Sequence, residues 1–587
     1  MRPPTGARAR ALGALLCTTL CALLVFAGFD GRSANATSWH SRPLEQADDS
    51  PSPLDTSSAL PTPTESPLAQ TPLPGAQPSE SASPSESPPE SPSPQESTPP
   101  PSPQPVTLAD ASSLVILGHG ATVHVLSPVS GLVSLSGFDA TIVRAVFNPI
   151  DRTIDLLGLR AGSTTITATD MFGLSATLAV TVQAYAGKAY PSTEVSITGD
   201  PAAADFVVEE ALKAASLVAY PESGARVVTD PTTVRGARQL DGDDATTVYV
   251  PLSIVGAGYA SYHQTVAVHV INFAQPEVAP TNLLVSDFPE TIVENGTLFY
   301  ADVNFDDPAR LLYYHYAAPQ SAARRVLVKA QNNTPFTSML QLISGIAGPD
   351  PNILAVGHES TKRFIVHEAA GEGEIFSVPA NATVNVVDQL LPGGALVSGL
   401  MQIRVVNGAG VRVAVVVQDA ADTPIGPISD TLLSSAVKHA RGVYQVPEFL
   451  YDISYTVDGD PGELLIGKLP LPNMVQGEVL GGDYGVKQSA SVTLLNPTPA
   501  TRRVGMWFEP RGGRATGTFL IDGQLVQLHP VDPGRPALVR TFDVPAGGYR
   551  RITLVTMPEG GSSYPVRVSF ATQPPPGGGW NFSSTVY

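Results

Sequence analysis

The segment Phe376-Ser377-Val378-Pro379-Ala380 recurs as Phe542-Asp543-Val544-Pro545-Ala546, and the residues around it recur too, at a period of about 165. Pro392-Gly393-Gly394 corresponds to Pro558-Glu559-Gly560. Val328-Lys329-Ala330-Gln331-Asn332-Asn333-Thr334-Pro335 corresponds to Val492-Thr493-Leu494-Leu495-Asn496-Pro497-Thr498-Pro499. A period of that length is a whole domain, so the chain must close one fold twice. Each copy reads as a strand, a polar Asn/Thr/Pro turn, a long hairpin, an alternating strand after the proline, and a final strand at Met401–Val406 or Val566–Phe570. Two related β-sandwiches are expected, at 279–421 and 423–572. Duplication of a fold is the simpler reading of the pattern, and duplicated binding sites the functional one.

The start of the chain carries an address. Arg2, Arg8 and Arg10 precede an apolar run from Ala11 to Phe29, and Ala34-Asn35-Ala36 supplies a small-x-small cleavage pattern, so residues 1–36 read as an export signal. The run, residues 11–29, is also long enough to span a bilayer and is the N-terminal membrane anchor if cleavage does not occur. Cys17 and Cys21, the two cysteines of the chain, both lie there, each preceded by leucine instead of the small residue a lipoprotein signal needs. Cleavage would remove four arginines and Asp30, taking the net charge from −19 to −22. It would leave no thiol for a disulfide or a metal. Residues 37–105 are rich in Pro, Ser, Thr, Glu and Gln and hold no aromatic after Trp39. Such a segment cannot build a core and is expected to be a disordered, polyproline-leaning stalk reaching up to about 200 Å.

Between stalk and repeat, five short β-rich runs separated by Gly and Pro, from Thr122–Leu126 to Thr177–Val182, predict a small sandwich at 106–184. Gly118-x-Gly120, the run Gly158-Leu159-Arg160-Ala161-Gly162-Ser163-Thr164-Thr165-Ile166 and Asp170-Met171-Phe172-Gly173 resemble bacterial immunoglobulin-like domains. The same run is similar to the N-terminal domain of pilus-assembly secretins. It departs from the shared pattern at Ala168, where that pattern has valine. The resemblance covers 106–183 only and implies fold, not chemistry. A small α+β domain is expected at 187–275, its helix opened by Asp200 as N-cap and Pro201 at the first helical position. Residues 573–587 read as a C-terminal tail.

Catalytic signatures are missing from the linear pattern. The ten histidines form no zinc spacing, since His358-Glu359 and His367-Glu368 lack a second histidine four residues on. There is no nucleophile elbow, phosphate-binding loop or dinucleotide fingerprint, and the acidic charge argues against nucleic acid as a partner. Oxygen-rich turns offer a calcium reading: Asp241-Gly242-Asp243-Asp244; Asp302, Asn304 and Asp306; and Asp458, Asp460 and Glu463. The second opens like an EF-hand loop but has Tyr313 where the bidentate glutamate belongs. Ordinary Asp/Gly turn chemistry accounts for all three and is the simpler reading. Tyr314, Tyr316 and Trp507 are the candidate ligand-binding aromatics, with at least half of the tyrosines in the neighbouring strands expected in the core.

The expected molecule is mainly β: tandem sandwiches with one small α+β domain, behind a signal or anchor helix and a disordered stalk. Its expected role is that of an exported, non-enzymatic envelope or cell-surface protein, structural or adhesive. No cofactor is expected beyond calcium, and the expected partners are cell-wall or extracellular polysaccharide or other envelope proteins. The membrane is a partner only through an uncleaved N-terminus. Two alternatives are a carbohydrate-active enzyme or its binding subunit, and a secretion or pilus assembly component. A cleft holding two carboxylates about 5 to 10 Å apart would favour the enzyme.

Overall fold

The computed structural model describes residues 104–127, 131–305, 307–422, 428–475 and 477–576. The expected signal or anchor (1–36), stalk residues 37–103 and tail residues 577–587 lie outside the described residues. The rest is mainly β, in two compact units divided near residue 184.

The first unit is a β-sandwich of two four-stranded sheets. One sheet runs Thr107–Leu108, Gly120–Ser127, Thr153–Gly158, Val143–Asn148; the other runs Ser112–Ile116, Ser175–Gln183, Gly162–Thr169, Ser134–Ser136. Period-two alternation builds the core directly. Leu178, Val180 and Val182 are buried while Thr177 and Ala179 face out, and Val115, Val123, Ile154, Leu156 and Ile166 meet them from the other strands. Ala168 is also fully buried, so the smaller side chain sits within the core.

In the second unit one long sheet passes through both the expected α+β segment and the first repeat. Its order is Arg226–Thr229, Ala245–Val255, Tyr262–Asn272, Ser192–Thr198, Gly373–Val378, Ser338–Asp350, Leu396–Asn407, Ala309–Ala317, Asn282–Ser286, Arg441–Tyr444. The join is at Ser192–Thr198, which pairs parallel with Tyr262–Asn272 and antiparallel with Gly373–Val378. The chain beyond 421 also returns to this sheet, because Arg441–Tyr444 pairs with Asn282–Ser286. Helix α1 (Ala204–Leu217) covers one end of the sheet with Phe206, Val207, Ala211 and Leu212. It starts later than Asp200 and Pro201 suggest: its N-cap is Ala203, whose N–H donates to the Glu372 carboxylate at 2.7 Å. A carboxylate from far along the chain thus stands at the helix start where a local cap was expected.

The two repeat segments make matching bonds. Asn332 Nδ2 donates to Phe336 O and Val378 O, and its Oδ1 accepts from Thr334 N and Oγ1; Asn496 does the same with Ala500 O, Val544 O and Thr498. The expected long hairpin occurs in the second copy alone, as Ala515–Ile521 with Gln524–Val531. In the first copy that place is taken by helix α2 (Ile353–Ala370), with Asn352 Oδ1 accepting from Ala355 N and Gly371 closing it at φ +65°. Its buried face mixes Val356, Phe364 and Ile365 with Gly357, Ser360 and Thr361, so small and polar residues interrupt the apolar stripe and the sequence does not announce the helix. α2 lies on the sheet face opposite the sandwich core, so Ala309–Ala317 is buried on both sides. Tyr313 belongs to one core and Tyr314 to the other.

Candidate functional site

A cleft of about 400 Å3 opens between the two copies. The first copy contributes Asp287, Glu290, Tyr314 and Ile353, the second Tyr484, Gly560, Gly561 and Ser562, and the segment before Arg441–Tyr444 adds His439. The elements explain these placements. Asp287 follows the end of Asn282–Ser286, and its N–H donates to Ala440 O at 3.1 Å, which sets His439 beside it. Glu290 is held by its own carbonyl, which accepts from Tyr316 N at 2.8 Å. Between them Pro289 O accepts from His315 Nδ1 at 3.0 Å, while His315 Nε2 lies 3.0 Å from Ser286 Oγ. Burial holds His315 down at about 4, so it works as a neutral strut.

His439 Nδ1 lies 3.0 Å from Glu290 Oε2 and 3.7 Å from Asp287 Oδ2. Burial pushes the Asp287 carboxyl up to about 6, with the Glu290 charge adding and His439 opposing. The Asp287 carboxylate holds His439 above its ordinary value, with Glu290 adding and burial opposing. Asp287 Oδ1 is sealed from solvent without a hydrogen-bond partner.

The opposite wall is tied by a hydrogen bond and a ring contact. Tyr484 donates from its hydroxyl to Ser562 O at 2.7 Å and meets Tyr564 edge-on, and burial pushes its phenol up to about 12. Gly560 allows close approach, since a Cβ there would stand 2.7 Å from the Tyr314 ring. Beside the cleft, fully buried Glu559 accepts from Thr516 Oγ1 and lies 2.9 Å from His358 Nδ1 of α2, tying the two copies together. Gly481, at the rim, has open space where a side chain would project.

Of the aromatics expected to bind ligand, Tyr314 lines this cleft. Tyr316 packs half-buried against Tyr314, Ala347, Val356 and Leu396, behind the wall. Trp507 is half-buried on Arg502–Pro510 of the second sandwich and is not a lining residue. The oxygen-rich turns are held by arginine or by backbone. Asp302 pairs with Arg412, Asp458 with Arg502 and Glu463 with Arg567, while Asp244 pairs with Arg238. Asn304 and Asp460 are exposed, and Asp306 lies outside the described residues. Among the described residues, Asp287, Glu290 and His439 form the one set of three acidic or histidine donors within metal-binding reach of one another. Sequence spacing carries no sign of it, because His439 is far along the chain from Glu290 and reaches it only through strand pairing.

No family model and no curated protein matches the chain. Among solved structures it is similar to human mucin-like protocadherin EC1-2 at 11% identity, over 29% of this chain and 98% of that one, with a TM-score of 0.12. It is similar to a SusE-like surface-located polysaccharide-binding protein of Bacteroides thetaiotaomicron at 10% identity, over 49% and 61%, TM-score 0.13. A third likeness is to SGBP-B of the Bacteroides ovatus mixed-linkage glucan utilisation locus, at 9% identity, over 50% and 75%, TM-score 0.11. At these scores the likenesses assign neither family nor activity. No helix among the described residues is long and apolar enough to cross a membrane.

Proposed function

We propose that this is an exported, non-enzymatic surface protein that binds extracellular polysaccharide in the cleft between its two repeat copies. The observation that carries the reading is the cleft itself: a concavity of about 400 Å3 with tyrosine rings on its walls and carboxylates and backbone groups along it. That mixture of apolar faces and few convergent polar groups suits a sugar of one or two units. Export is supported by the N-terminal pattern at 1–36, and the Pro/Ser-rich stretch after it suits a spacer between the surface and the binding unit.

One observation favours a second reading, a glycoside hydrolase. Asp287 and Glu290 share the cleft, and a carboxyl raised to about 6 is the kind of group that acts as a general acid. Against it, His439 Nδ1 stands between the two carboxylates at 3.0 and 3.7 Å and fills the place a glycosidic bond would need.

Both readings are tested together by mixing the purified full chain with insoluble cell-wall and extracellular polysaccharides. Gly481→Trp serves as the blocked form, since it fills the rim without straining the backbone. The expected result is saturable co-sedimentation with at least one polysaccharide, weakened about tenfold or more by Gly481→Trp, and no release of reducing ends. Binding indifferent to that substitution would remove the cleft from the account. Reducing ends released by the chain and lost in Glu290→Gln would establish the hydrolase instead.

A further inference from the structure

Asp287, Glu290 and His439 offer three donor atoms lying within 4.8 Å of one another. Metals bonded to nitrogen and oxygen at about 2.0–2.2 Å set their donors on the order of 3.0–3.5 Å apart. The His439 Nδ1 to Glu290 separation of 3.0 Å meets that, and the 3.7 Å to Asp287 needs only a small carboxylate rotation.

Charge points the same way. Two carboxylates face a single imidazole, and neither of the nearby cations balances them. Lys438 Nζ stands 4.6 Å from the centre of the Phe288 ring, and the Arg441 guanidinium stands 4.5 Å from it. Arg441 is further committed to the carbonyls of Phe288, Leu298 and Leu433. Among the described residues the ion pairs of Asp287 and Glu290 go to His439 alone. Asp287 Oδ1, buried and without a partner, is an acceptor that the protein leaves unused. The donors are also held in place by the strand ends and by His315, as a binding site requires.

We propose that Asp287, Glu290 and His439 bind one divalent cation of the zinc or manganese class, with a remaining coordination position open to an oxygen of the ligand in the cleft. One nitrogen with two carboxylates suits these ions, whereas calcium takes six to eight oxygens. Binding of the ion stands on the geometry of the three donors, and its reach to a ligand rests on the reading of the cleft as a polysaccharide site.

The test is calorimetric titration of the chelator-treated full chain with zinc, manganese and calcium, each alone. One equivalent of zinc or manganese is expected to bind, with affinity reduced at least about tenfold by His439→Ala and by the isosteric Glu290→Gln. Unchanged circular dichroism and melting of the metal-free Glu290→Gln chain keep the comparison valid even where His439→Ala disturbs folding. Failure of zinc and manganese to bind stoichiometrically, binding unmoved by both substitutions, or a preference for calcium would each overturn the ion site. Co-sedimentation with polysaccharide is then repeated with and without zinc. Stronger retention with zinc is expected. An ion that binds but leaves retention unchanged overturns its reach to the ligand, while retention in a chain that binds no ion overturns the ion and leaves the cleft standing.

Discussion

Asp483, one residue before Tyr484, shows how burial makes a single side chain report on pH. It is 4% exposed, its Oδ2 accepts from Gly467 N at 2.9 Å, and its Oδ1 is sealed without a partner. Burial pushes its carboxyl up to about 6, with the Gly467 bond opposing. A carboxyl whose folded value lies above its unfolded value of about 3.9 binds the proton more tightly when folded. Its contribution to stability is therefore present below pH 3.9 and lost as the pH rises through 6. His315 runs the other way: held down at about 4, it contributes fully above 6.5 and loses that contribution as the pH falls through 4. The two oppose each other across one window, so a substitution is needed to separate them. Asparagine keeps the acceptor for Gly467, tolerates the left-handed backbone at φ +55°, and does not titrate. Asp483→Asn is expected to raise stability by about 2 kcal/mol at pH 7.5 and to change it little at pH 4. Urea melts at the two pH values check this. An equal effect at both, or a loss at pH 7.5, would contradict it.

At the scale of elements, α2 decides how the copies meet. His358 on α2 has both ring nitrogens beside oxygens of the second copy, Glu559 Oε2 at 2.9 Å and Gln527 Oε1 at 3.1 Å. Burial works against charge on His358, yet the bond and charge of Glu559, with Gln527 and Glu359, raise it overall. His358→Ala would leave the fully buried Glu559 without its counter-charge and is expected to cost about 3 kcal/mol. Glu559→Gln, which keeps a hydrogen-bonding group, is expected to cost about 1 kcal/mol. Chemical denaturation measures both, and a Glu559→Gln loss exceeding that of His358→Ala would show that the pair is not the lock. The sequence was legible here only in part. Short alternating strands such as Thr177–Val182 announced themselves because one face is wet and one dry. α2 did not, since its backbone at Ser360 and Phe364 presses close against Gly345 and Gly357 lies against Gly560, and a buried face in which Gly357, Ser360 and Thr361 alternate with Val356, Phe364 and Ile365 breaks the apolar stripe that would mark it. The cleft was less legible still: Tyr314 stood out as one of a run of tyrosines, whereas Asp287, Glu290 and His439 meet only through strand register.

For the repeat region as a whole, the central question is whether its two copies behave as separate domains. The aligned segments around Asn332 and Asn496 fold alike, which the sequence alignment anticipated from the Asn-x-Thr-Pro turn. The sheet that carries Ser192–Thr198 into the first copy was not foreseeable, because pairing between distant strands leaves no local trace. Nor was the shared core between copies, in which Leu283, Leu312, Phe364 and Leu400 of the first meet Val486, Leu520 and Met557 of the second. Arg310 is buried at this junction. It donates to Pro447 O at 2.6 Å and stacks 5.4 Å from Phe364, with Glu368 and Lys487 paired alongside at 2.6 Å. A buried cation and an apolar core both lose their surroundings if either copy opens alone, and this couples the copies. Val328 and Val492 occupy equivalent places in the two alignments, and both are fully buried, one in each sandwich core. Val328→Ala and Val492→Ala are each expected to cost about 2 kcal/mol. Each should lower one common unfolding transition, with peptides around 326–330 and 490–494 losing hydrogen-exchange protection at the same denaturant concentration. If Val492→Ala released only the second sandwich while the first kept its protection, the junction would be a contact between independent domains. A cleft built from both walls would then open whenever that contact did, so the same exchange experiment bears on how firmly the binding site is held.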